Sequence, residues 1–204
     1  MDAQHNSRTV TLCGIAVALC APMFSQTPSA TDPYVPISAA EKAKVFGRRI
    51  IAPSSFAKSA VTSGINQWQN EPPEWGQGMA GFGRRYGHKL ANRGIENSIG
   101  FIVAAPLHQD PRYFLSGEIG LWKRTKHALG YTFMTRTDSG RRVFSVWRFA
   151  GNYGSQFVSN AWRPERQTNV PDTLLRGTVS IGYDAASNLF KEFCPDIRKR
   201  LPHR

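Results

Sequence analysis

The chain has 204 residues, 41% of them hydrophobic, and a formal net charge of +12 from 26 Lys and Arg against 14 Asp and Glu. That length suits one domain and that apolar fraction suffices for a core, which excludes a disordered chain. The basic excess falls in separate groups, and in an exported protein such a surface faces anionic lipid headgroups or polyanionic envelope polymers rather than nucleic acid.

Arg8 precedes the apolar run TVTLCGIAVALCAPMF, Thr9 to Phe24, and small residues and prolines follow it in SQTPSATDP. This is the three-part layout of a secretory signal, expected over residues 1–25; the run is too short and too poorly flanked for a good spanning helix. Leu19 stands where a lipoprotein box before Cys20 needs a small residue. A spacer rich in Pro and Ser occupies 26–37, and the folded domain is expected over 38–201, in the periplasm or at the outer membrane. Loss of the signal takes Cys13 and Cys20 with it and leaves Cys194 as a lone thiol, a small buried hydrophobe with no partner for an internal disulfide.

Ser38-Ala39-Ala40-Glu41 is a capping box, so a helix starts there. Ala52-Pro53 interrupts it, because proline disfavours helical geometry in the residue before it. A second helical run then aligns Phe56, Ala60, Val61, Gly64, Ile65 and Trp68 on one face. Glu71-Pro72-Pro73-Glu74 opens a third helix. On it, Gly76, Ala80, Gly83, Gly87, Ala91, Gly94 and Ser98 recur in steps of three or four, a single stripe. Within this stretch Gly76-Gln77-Gly78-Met79-Ala80-Gly81 matches a dinucleotide fingerprint. That fingerprint needs a buried strand before it, and NQWQNEPPE cannot be one; Glu96, near the place of a ribose-binding acid, follows no strand pattern either. No cofactor is expected.

Glycine costs about 1 kcal/mol relative to alanine within a helix, so the stripe needs compensation, and close approach of a neighbouring helix supplies it. Matching small residues occur at Gly151, Ser155 and Ser159, at Ala150, Gly154 and Val158, and on a last helix after Pro171-Asp172 that aligns Leu175, Val179, Gly182, Ala186, Leu189 and Phe193. Asp110-Pro111 reads as an N-cap and first helical residue. RTDSGRR is a polar turn whose flanks, Tyr131 to Thr135 and Val143 to Trp147, carry a second reading as a short hairpin. The predicted fold class is mainly α: a compact helical bundle with Gly/Ala/Ser interfaces and room for one β-hairpin.

The most enzyme-like cluster is His108, Asp110 and Arg112 with Tyr113, which could supply a base, an acid and an anion clamp. An envelope hydrolase or transferase centred on His108 and Asp110 is the alternative function, and it requires these two to share a pocket with another polar side chain. No metal site is expected, since His88 and His127 lack H-x-x-x-H or H-E-x-x-H spacing. The residues expected to contact anions are Arg84, Arg85, Lys89, Arg93, Lys123, Arg124 and Lys126, with Trp75, Trp122, Trp147 and Trp162 available to an interface. Asn152, Asn160, Asp184 and Asn188 are placed to bond across closely approaching helices.

Together PPEWGQGMAGFGRRYG, LHQDPRYF, TRTDSG, Gly151-Asn152, SNAWRP and KEFCPDIRKRL resemble a family of uncharacterised exported bacterial proteins, chiefly of soil bacteria, over roughly Ile37 to Leu201. The resemblance implies export and brings no reaction, ligand or catalytic residue with it. The function expected is that of a non-enzymatic cell-envelope protein, periplasmic or associated with the outer membrane, whose basic surface contacts anionic lipid or polymer.

Overall fold

The structure, a computed structural model, describes residues 33–199, so the expected signal and most of the spacer lie outside the described residues. Within them six α-helices follow in order: α1 (Ala39–Ile51), α2 (Pro53–Trp68), α3 (Gly78–Ala104), α4 (Leu121–Phe133), α5 (Val146–Ser159) and α6 (Val170–Lys199). Three short strands, β1 (Gln109–Asp110), β2 (Met134–Thr137) and β3 (Arg142–Phe144), make one antiparallel sheet in that order. The fold is mainly α, as the periodicities predict.

Local chemistry sets the helix ends. Ser38 Oγ accepts from Glu41 N at 3.3 Å while Glu41 Oε2 accepts from Ser38 N at 2.8 Å, the reciprocal capping box. Pro53 takes the first position of α2 after an extended Ala52. α3 begins later than its prolines suggest: Pro73–Trp75 form one 3-10 turn, and Gly76 and Gly78, with φ of 72° and 75°, carry the chain into the helix through a conformation that glycine adopts without strain. Asn169 Oδ1 accepts from Asp172 N at 2.9 Å at the start of α6.

Two expectations near the sheet are corrected. Asp110-Pro111 starts no helix; Asp110 pairs with Arg136 in the sheet, and its carboxylate accepts from Arg112 N at 2.9 Å, so it turns the chain instead of capping. The hairpin forms, but over Met134–Thr137 and Arg142–Phe144, with Met134 opposite Phe144; Tyr131 stays in α4 and Trp147 in α5.

α3 packs on α5, α2 and α1, and α6 packs on α5 and α4. Gly151 brings α5 onto α3, because a Cβ there would lie 2.8 Å from the carbonyl oxygen of Glu96, and Ser155 and Ser159 continue the buried line. The small-residue stripe of α3 points the other way, against expectation. Gly76, Ala80, Gly83, Gly87, Ala91 and Ser98 are exposed, and a Cβ at Gly83, Gly87 or Gly94, or at Gly182 on α6, would meet nothing within 4 Å. Packing uses the opposite face of α3, where Gly81, Arg85, His88, Asn97 and Gly100 are buried.

The apolar core is two small clusters, Phe46 with Ala104 and Trp147, and Tyr113 with Phe114, Ala128 and Tyr131. Cys194 is buried and disulfide-bonded, which corrects its reading as a lone thiol. Among the described residues no helix is long and apolar enough to cross a membrane.

Candidate functional site

Burial in this bundle is inverted. Among the described residues nine hydrophobic side chains are buried against 23 polar or charged ones, while 26 large hydrophobics stay exposed. A scattered exposed leucine needs no explanation, but a polar interior under an apolar exterior does. On α2 the predicted face of Phe56, Val61, Ile65 and Trp68 is the outer one, with Trp68 86% exposed, and the buried face is Ser54, Ser55, Ser59 and Ser63. On α6, Leu174, Leu175, Val179 and Tyr183 face out, whereas Thr173, Asn188 and Glu192 are buried.

The polar groups hold the helices to one another. Asn152 donates to Asp184 at 3.1 Å between α5 and α6, Asn188 to Thr132 at 3.1 Å between α6 and α4, and Lys58 to Ser187 at 3.0 Å between α2 and α6. Asn160 donates to Thr173 at 2.9 Å. Glu192 accepts from Tyr113 at 2.7 Å and from Ser116 N at 3.2 Å, and pairs with Arg124 at 3.4 Å. Arg49 and Arg148 both lie over the ring of Trp147, at 5.0 and 4.9 Å. Burial, then the neighbouring Asp184, pushes the Glu96 carboxyl up to about 7. Burial, then Arg49, Lys58 and Arg148, pushes the Lys191 ammonium down to about 7.

The glycine-rich loop at the head of α3 cradles a cation. Arg85, fully buried, donates to Glu71 O at 2.9 Å, Gly76 O at 2.7 Å, Pro72 O at 2.8 Å and Gln67 Oε1 at 2.5 Å. A phosphate site presents backbone N–H groups; this loop presents carbonyl oxygens. Beside it, Trp75 and Trp162 flank Gly83, Gly87 and Ala91, leaving a groove of about 590 Å³. His88 under the groove accepts from Trp162 Nε1 at 2.9 Å, and burial together with Arg163 and Lys89 holds it neutral, its pKa pushed down to about 2.

His108, Asp110 and Arg112 do not build a reaction centre. His108 is 76% exposed and pairs with Asp138 at 3.2 Å. Asp110 is fully buried and occupied: it accepts from Tyr34 Oη at 3.0 Å and from Arg112 Nη2 at 2.7 Å, so its lone pairs are engaged in structure. Neither His108 nor Asp110 lines the groove or the pocket near Tyr131. Among the described residues no group of three or more His, Cys, Asp or Glu is placed to hold a metal ion.

Of the residues expected to contact anions, Arg84, Lys123 and Lys126 are exposed, Lys89 and Arg93 are half-buried, Arg85 is sequestered, and Arg124 is tied to Glu192 and Asp196. Trp122 and Trp162 are exposed, whereas Trp147 is core. Sequence reasoning passed over Lys191, Glu192 and Tyr131; the available signal for the first two was two charges set between Leu189 and Phe193 on an apolar helical stripe. Set against protein-family models, curated proteins and solved structures, the chain matches none.

Proposed function

We propose that the chain serves as a non-enzymatic cell-envelope protein that associates with a membrane through its apolar outer faces, its exposed basic residues meeting anionic headgroups. The inverted burial supports this reading, since Phe56, Val61, Ile65 and Trp68 on α2, and Leu174, Leu175 and Val179 on α6, turn outward in rows of the kind that mark an interaction surface. Fully burying one such side chain is worth about 1.5–3 kcal/mol, so the four on α2 supply at most roughly 6–12 kcal/mol. A lysine or arginine near an anionic surface contributes about 1 kcal/mol. The apolar term dominates, and the exposed Arg84, Lys123 and Lys126 orient rather than hold the protein.

Cell fractionation tests this. The protein is expected in the membrane fraction, to remain there through a high-salt wash that screens surface charge, and to leave with detergent. A freely soluble pool, or release by salt alone, would refute it.

A further inference from the structure

We propose that the pocket between the end of α4 and the β2–β3 hairpin seats the phosphate of an anionic lipid headgroup. This rests on the membrane-associated reading and adds a headgroup chemistry at one named place. The cavity measures about 110 Å³ and lies between Lys126, His127, Tyr131, Thr135 and Arg142. Pockets for whole small molecules run to several hundred Å³. This one admits a single phosphate-sized group.

Its charge has one sign. Lys126 and Arg142 line it, no carboxylate does, and neither cation forms an ion pair among the described residues. Tyr131 is the independent observation: it is 4% exposed, yet its hydroxyl has no hydrogen-bond partner among the described residues. Native structures rarely leave such a group unsatisfied, and an acceptor that arrives from outside resolves it. Burial raises the Tyr131 pKa, so the hydroxyl stays a donor. The other polar groups of the lining are engaged already. Thr135 donates to Asp110 O at 2.5 Å, and His127 Nε2 lies 2.9 Å from Phe114 O, an acceptor that fixes the ring proton there. The carbonyl end of α4 opposes an anion with about half a charge, which two full cationic charges outweigh.

A lipid suits the pocket better than free phosphate because its surroundings are apolar. Leu129, Phe133, Met134 and Phe144 are exposed on the same helix end and hairpin, and Trp122 lies 5.1 Å beneath the Lys126 ammonium. Acyl chains attached to the phosphate would cover those side chains. A phosphomonoester carries about −1.5 to −2 at pH 7 and three acceptor oxygens, which matches one hydroxyl and two cations better than a diester does.

The test is flotation of the full chain with phosphatidylcholine vesicles containing either phosphatidic acid or phosphatidylglycerol at matched surface charge. Tighter binding to the phosphatidic acid vesicles is expected, with Tyr131→Phe and Arg142→Gln each losing about tenfold of that affinity, the scale of one hydrogen bond to a charged group. Phe keeps the ring and Arg142 is exposed, so both variants should retain the parent's circular dichroism and melting point. Equal binding to the two anionic vesicles, or folded variants that bind as the parent does, would overturn the headgroup site while leaving membrane association intact. Inorganic phosphate that abolishes the preference at concentrations comparable to the lipid would reassign the pocket to a soluble anion and overturn it too. Failure to float with any vesicle, including pure phosphatidylcholine, would remove the underlying membrane reading.

Discussion

Gly151→Ala sets two effects of known size against each other. Helix propensity favours alanine by about 1 kcal/mol. The new Cβ, however, would stand 2.8 Å from the carbonyl oxygen of Glu96, a backbone atom that cannot rotate away. Forcing α5 off α3 is overpacking, which costs about 1–3 kcal/mol and disturbs the buried line through Ser155 and Ser159. The net expectation is destabilisation of up to about 2 kcal/mol, a fall in Tm of several degrees at roughly 2–4 °C per kcal/mol for a domain of this size. Gly87→Ala is the internal control: its Cβ meets nothing within 4 Å, so only propensity acts and the variant should gain up to about 1 kcal/mol. Thermal and urea unfolding followed by circular dichroism, in one detergent buffer for all three proteins, reads both. If Gly151→Ala melts above the parent, or Gly87→Ala falls as far as Gly151→Ala, the assignment of inner and outer faces on α3 and α5 is wrong.

Arg85→Met should destabilise the head of α3 by about 3–5 kcal/mol, because Glu71 O, Pro72 O and Gly76 O lose a buried charged donor together; protease cleavage around residues 67–78 would report it, and unchanged resistance would contradict the cradle. The pH dependence of stability tests the interior charges. Lys191, lowered from 10.5 to about 7, binds fewer protons in the folded than in the unfolded state between those values, so stability should rise with pH across that window. Lys191→Met should make this rise shallower, the remainder coming from Lys58 and Lys89, which are also lowered; an unchanged slope would show that Lys191 titrates normally. Glu96, raised from 4.5 to about 7, has the opposite sign: its folded form holds the extra proton, stability falls as pH rises through that range, and Glu96→Gln should flatten the fall.

Features that depend on residues within four positions of one another were legible in the chain. The Ser38–Glu41 box, the proline start of α2 and the three-or-four spacing along α3 were read directly, since capping and helical periodicity are local. Periodicity says that Phe56, Val61, Ile65 and Trp68 share a face, but carries no sign for where that face points. The usual inference that an apolar face turns inward fails here, since α2 turns Ser54, Ser55, Ser59 and Ser63 inward and Lys58 on the same helix reaches Ser187 of α6. Asp110 shows the same limit at one residue: its cap-like neighbours predict a helix, while Tyr34, from 76 residues away, and Arg112 engage its carboxylate and the sheet takes its backbone.

The amino-acid order alone therefore determined a mainly helical chain, its breaks, its small-residue stripes and its basic surplus. Which stripes touch, which apolar faces stay outside, and the meeting of Tyr131 with Arg142 in one pocket were decided by the tertiary structure. The physical reason is that helix formation is satisfied within a few residues, whereas inside and outside are defined only by what the neighbouring helices bring to the interface.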